Sequence, residues 1–152
     1  MIQRIQSLFL FIVFIAGIYL FFLPVAFYSS DILLCKFNIT GISQINGQPQ
    51  NFPNTIPIII FTIIMIVLPF VIIFLYKKQP LQMKLCRLGI IINVLLIAVI
   101  FWYADIIEKK LCVDSIYKIG VFLPLLTLIF LFLANMFIRK DEKLIKSADR
   151  LR

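Results

Sequence analysis

Four apolar runs, each bounded by charge and none interrupted by it, govern what this chain can become. The first lies between Arg4 and Asp31, with its core at Ser7–Phe27. The second runs from Ile56 to Tyr76, the third is Leu88–Ala104 and the fourth is Ile119–Ile138. A helix needs about 17–25 apolar residues to cross roughly 30 Å of hydrocarbon. Every run meets that length, the third only just. In a chain of 152 residues that is 62% hydrophobic and 14% charged, a water-soluble fold has too little interior to hide them. The solvent is therefore expected to be lipid. The fold class expected is an all-α membrane protein, a single domain built as an antiparallel four-helix transmembrane bundle. Its outer loops are 28–55 and 105–118, its inner loop is 77–87, and residues 139–152 form a helical C-terminal tail.

Arg4 ahead of an apolar run also fits a signal peptide. The run Leu8–Leu23 exceeds a typical signal core and no small-residue cleavage site follows it. A retained span is expected.

Four spans put both termini on one side. With the termini inside, the inner segments hold Arg4, Lys77, Lys78, Lys84, Arg87, Arg139, Lys140, Lys143, Lys146, Arg150 and Arg152 against Asp141, Glu142 and Asp149. The outer loops hold Lys36, Lys109, Lys110 and Lys118, matched by Asp31, Asp105, Glu108 and Asp114. The net charge of +8 thus falls on one face. Because Lys and Arg bias loops towards the cytoplasm, both termini are expected to be cytoplasmic, with Asn46 and Asp114 outside.

The first outer loop has room for a small structure of its own. Asn46-Gly47 suits a type I′ hairpin turn between "GISQI" and "QPQNF", although Pro49 and Pro53 oppose a long second strand. Asn54 or Thr55 can cap the second helix, with Pro57 in its first turn, where a missing N–H costs little. Pro80 is expected to open the third.

The runs contain no Asp, Glu, Lys or Arg, and the chain has no His. Ion pathways and proton relays use ionisable groups at membrane depth, and hydrolysis needs a general base. Neither a Cys/His zinc pattern nor a phosphate-cradling Gly motif is present. No enzyme activity, metal or cofactor is expected. Small and polar residues do recur at helical spacing: Thr55, Thr62, Pro69 and Tyr76; Cys86, Gly89 and Asn93; Gly120, Pro124, Thr127 and Ala134, with Asn135 beside them. Such stripes pack lipid-phase helices together. The alternative is a ligand cavity, where Pro69 and Pro124 leave the carbonyls of Met65 and Gly120 without helical donors. Asn93 and Asn135 should face other helices, near one another at the cytoplasmic ends. Cys86 falls on the reducing side. Cys35 and Cys112 share the outer side, where they either form a disulfide or stand as unrelated thiols.

The tail "IRKDEKLIKSADRLR" carries more than an anchor needs. Arg139, Lys140, Arg150 and Arg152 give positive charge, but Asp141, Glu142 and Asp149 weaken its pull on anionic lipid. Leu144, Ile145, Ala148 and Leu151 recur at helical spacing. Glu142 precedes Lys146 by four residues, the favourable order for a helical pair. The expectation is that the fourth helix runs on past Arg139 for at least two turns, and that Leu144 and Ile145 dock on the inner loop or on a separate protein; the alternative is a solvated, fraying helix end.

"MIQRIQSLFL", "FLYKKQPLQMKLCRL", "IGVFLPLL" and the terminal "IRKDEKLIKSADRLR" together resemble a bacterial family of the Bacteroidota, domain-of-unknown-function family 4293. The resemblance covers essentially the whole chain. It implies a four-span protein of the bacterial inner membrane and supplies no activity, ligand or site residue. The function expected is a non-catalytic interaction or assembly protein. Its basic cytoplasmic face would meet anionic headgroups, with a protein partner at the tail. A subunit of a small oligomeric transporter or channel is the alternative, and self-association is open under either. Nucleic acid is not expected, since the basic face lacks the interleaved aromatics of a stacking surface.

Overall fold

Buried positions recur along all four helices in alternating steps of three and four residues, the spacing of a knobs-into-holes seam. The structure, a computed structural model, describes residues 3–29, 34–46, 54–75, 79–113 and 115–149. Helix α1 (Gln3–Phe22) buries Gln6, Leu10, Val13, Gly17 and Leu20. Helix α2 (Ile56–Phe74) buries Ile58, Thr62, Met65, Pro69 and Ile72. Helix α3 (Gln79–Leu111) and helix α4 (Ile119–Asp149) carry longer stripes of the same period. The opposite faces are lined with exposed Ile, Leu, Val and Phe. A helix apolar all round belongs to a non-aqueous surround. Within these helices Ile5–Phe22, Ile56–Phe74, Pro80–Leu111 and Ile119–Glu142 are each long and apolar enough to cross a membrane. They pack in cyclic order, α1 on α2, α2 on α3, α3 on α4 and α4 on α1.

At one end, where a small hairpin in the first outer loop was expected, lies a larger four-stranded antiparallel sheet in the order β3-β2-β1-β4. Strand β1 (Ala26–Ser29) follows α1 directly, because Pro24 cannot donate to the helical ladder. Hence Val25–Phe27, assigned above to the first span, are not helical. Val25 N–H instead bonds to the Phe37 carbonyl at 2.9 Å. Strands β2 (Leu34–Asn38) and β3 (Gly41–Asn46) form a hairpin that turns at Ile39-Thr40. "GISQI" is therefore the returning strand rather than the outgoing one. The Asn46-Gly47 turn runs into residues outside those described, and no strand is described in "QPQNF".

Strand β4 (Ser115–Tyr117) comes from the other loop and pairs with β1, Phe27 opposite Ile116. Strands β1 and β2 alternate. Ala26, Tyr28, Cys35 and Phe37 are buried, while the Phe27 ring looks outward with Lys36 and Lys118 ammonium groups 5.9 and 5.5 Å from its centre. Tyr28 O–H donates to the Ala104 carbonyl at 3.1 Å, and Tyr103 O–H to the Asn54 carbonyl at 2.8 Å. These two phenols fasten sheet and connecting chain to α3.

Helix α3 differs most from its expected bounds. The run Leu88–Ala104 is only the middle of a 33-residue helix, about 50 Å long at 1.5 Å per residue. Lys84, Arg87, Asp105 and Lys109 break the apolar run but not the helix, and Lys109 pairs with Asp105 at 2.7 Å. Most of the expected inner loop is thus helical. Pro80 sits at its second position, as a helix opening requires. Cys112 follows with a φ of 51°, the left-handed conformation that ends helices. At the start of α2 the Asn54 side chain accepts the Ile56 N–H at 3.2 Å, while Thr55 occupies the cap position with no side-chain bond.

Candidate functional site

Polar chemistry inside the helical body gathers in two places. The first is mid-body. Asn93, fully buried, donates through Nδ2 to the Pro124 carbonyl and to Thr127 Oγ1, both at 3.0 Å, and Thr127 O–H donates to the same carbonyl at 2.8 Å. Nearby, Cys86 S–H points to the Leu131 carbonyl at 3.4 Å, and Thr62 O–H bonds one turn back to Ile58. Among the described residues Thr55, Thr62, Pro69, Cys86, Gly89, Gly120, Pro124, Thr127 and Ala134 are all buried, as their spacing foretold. The alternative of a ligand cavity has little space. The void lined by Val13, Gly17, Thr62, Met65, Leu96 and Thr127 is about 10 Å³, room for one water at most and far below the ~300 Å³ of a small-molecule pocket.

The second place is the end remote from the sheet. Asn135 is buried there, but not near Asn93, whose partners lie two turns back along α4. Gln6, Gln82 and Asp141 join it in the interior, with Gln82 donating through Nε2 to the Ile72 carbonyl at 3.3 Å. These three were missed as interior residues, although a signal existed. Leu131, Ala134, Ile138 and Asp141 continue the seam of α4 without a slip, as Gln82 and Cys86 do in α3.

Helix α4 passes Arg139 and continues to Asp149. Arg139 and Lys140 are exposed and Glu142 is half-buried. Asp141, grouped above with an interaction surface, is only 5% exposed. The backbone of Leu144, Ile145 and Asp149 is helical, and the docking of their side chains lies outside the described residues, as do Arg150 and Arg152. Among the described residues no three His, Cys, Asp or Glu side chains gather as metal ligands would.

Of the two alternatives for Cys35 and Cys112, the structure shows unrelated thiols, and all three cysteines are free. Cys35 lies opposite Tyr28 on the buried face of the sheet, and burial pushes its thiol pKa up. Burial likewise pushes up the Tyr28 phenol, with Tyr117 and Glu108 adding to it. Cys112 is exposed beyond the end of α3, its S–H turned to the Lys109 carbonyl at 3.7 Å. Thiolate is the reactive form, so a maleimide should label Cys112 at neutral pH and spare Cys35 and Cys86 until the protein unfolds. Mass spectrometry of the labelled native protein checks this.

The family model described as Domain of unknown function (DUF4293) matches residues 2–151, and the chain belongs to that family. No curated protein matches it.

Proposed function

We propose that this member of the DUF4293 family is a multi-pass integral protein of the bacterial inner membrane with a non-catalytic assembly role. Both termini lie in the cytoplasm, and the projecting end of α4 meets a protein partner beside anionic headgroups. The observation that supports this reading is the unbroken course of α4 from Ile138 to Asp149. A topology anchor needs positive charge alone, and a helix end in water frays unless something holds it. Leu144, Ile145 and Ala148 recur along that segment at the spacing of one helical face. The narrow interior weighs against solute passing through a single copy.

Orientation is tested with a membrane-impermeant maleimide on the outer side of spheroplasts. Cys112 should react there, and protection of Cys112 until the membrane is opened would reverse the topology. The assembly role is tested by purification in mild detergent with identification of co-purifying proteins. Leu144→Asp and deletion from Ser147 onward should preserve insertion and lose the stoichiometric partner, with Asp149→Ala weakening it. If all three leave insertion, protein level and partners unchanged, the segment is an anchor only. A lone oligomer that carries bound solute would favour a transporter subunit instead.

A further inference from the structure

The seams of three helices close on oxygen. Gln6, Gln82, Asn135 and Asp141 are 2, 0, 8 and 5% exposed. Gln6 Oε1, Gln82 Oε1, Asn135 Oδ1 and both carboxylate oxygens of Asp141 are buried without a hydrogen-bond partner. Contacts along the helices place the four at one end. Gly120 meets Pro24, and Phe9 stacks on Phe130 and Phe137. Antiparallel packing then sets Gln6 opposite Ile138. Asn93 against Pro124 and Thr127, with Cys86 against Leu131, brings Gln82 to the same turn. Asp141 follows three residues on, about 4.5 Å further along the axis, whereas Asn135, six residues before Asp141, lies about 9 Å from it along α4 and on another side of that helix. The Gln82 amide nitrogen is committed to the Ile72 carbonyl, which leaves its oxygen as the free atom.

All of these unpaired atoms are acceptors, and one group carries charge. Water could supply hydrogens but not the countercharge. An uncompensated buried carboxylate costs several kcal/mol. Among the described residues Asp141 has no ion-pair partner, and its neighbours Arg139 and Lys140 lie on the exposed side of α4. We propose that the Asp141 carboxylate, with the free amide oxygens of Gln6 and Gln82, forms a binding site for a monovalent metal cation between α1, α3 and α4. Oxygen-only donors suit hard cations. A single carboxylate neutralises one charge, whereas divalent sites gather more acid or retain their waters. The exposed Arg139 and Lys140 further disfavour a double charge.

The test is thermal unfolding of the purified full-length protein in detergent, followed by the fluorescence of Trp102. Sodium and potassium chloride are titrated against choline chloride at constant ionic strength. One of the metal ions should raise the midpoint saturably, on the order of 3–6 °C at tenfold excess over its Kd, while choline does not. Asp141→Asn should abolish the difference. Gln6→Leu should shift the half-saturating concentration about tenfold upward, the loss of one neutral ligand. Equal effects of choline, or an ion-specific rise that survives Asp141→Asn, overturns the site and leaves the oxygens to water. Stabilisation by magnesium or calcium alone overturns the monovalent assignment. If Asp141→Asn does not accumulate, Gln6→Leu decides, an unchanged half-saturation counting against the site. The inference is separable from the assembly role, because it is measured on the isolated protein.

Discussion

Gly120→Ala should remove about 3 kcal/mol or more of stability, at the upper end of what overpacking costs. A Cβ at that position would lie 2.5 Å from the Pro24 carbonyl oxygen, 2.8 Å from the Pro24 carbonyl carbon and 3.1 Å from Val25 Cα. All three are backbone atoms, so no side-chain rotation relieves the clash. Moving α4 away would stretch two bonds that hold its entrance, Gly120 N–H to the Pro24 carbonyl at 3.1 Å and Lys118 N–H to the Val25 carbonyl at 2.9 Å. Each such bond contributes roughly 1 kcal/mol net. The expected fall in unfolding midpoint is about 6–12 °C, at some 2–4 °C per kcal/mol for a chain of this size. Gly89→Ala is the contrast. Its Cβ would meet Leu68 Cδ2 at 3.1 Å and the Leu131 methyls beyond, and those side-chain tips can give way. A midpoint for Gly120→Ala no lower than that for Gly89→Ala would refute the close approach.

Asn93→Asp should be the most damaging change in the middle of the helical body, worse than Asn93→Leu. Leucine forfeits the bonds to Pro124 and Thr127, worth about 1–2 kcal/mol for polar contacts between membrane helices. Thr127 keeps its own bond to Pro124, so no new orphan arises on that side. A carboxylate does more harm. It places a charged oxygen where Nδ2 now donates to two oxygens, and a buried unpaired charge costs several kcal/mol. Unfolding midpoints of the purified proteins should therefore fall in the order wild type, Asn93→Leu, Asn93→Asp. Equal midpoints for the two variants would mean that Asn93 does not sit against those acceptors.

What could be read in advance follows from which signals are local. Helix interiors were legible because packing against lipid on one side and helices on the other imposes a period. Thr62 and Pro69, Gly89 and Asn93, and Thr127 and Ala134 declared their face by spacing alone. Helix ends were not, because the flanking charges bound only the apolar part of α3 and not the helix itself. The seam that carries Gln82 and Asp141 inward lies beyond those charges. The sheet was hidden for a different reason. "AFYS" reads as the tail of an apolar run, and "SIY" is too short to announce a strand. Both become strands by pairing across 86 residues of intervening chain, Tyr28 with Ser115, a relation that no window of sequence contains. The absent disulfide has the same root. A shared side of the membrane was visible, but the alternation that buries Cys35 beside Tyr28 required the register of the sheet.

The order of strands also bears on how the protein is made. Strand β1 lies between β2 and β4, so one of its edges is satisfied by the segment that follows it, and the other waits until α3 has been synthesised. During that interval an unpaired edge stands open beside the emerging hairpin, a template for any strand that passes. A ribosome stalled before Ser115, or a chain cut there, would leave the edge permanently available, and such fragments should associate with one another or capture the missing piece in trans. Closure by β4 is in this sense a completion signal, given only when the second half of the chain has arrived.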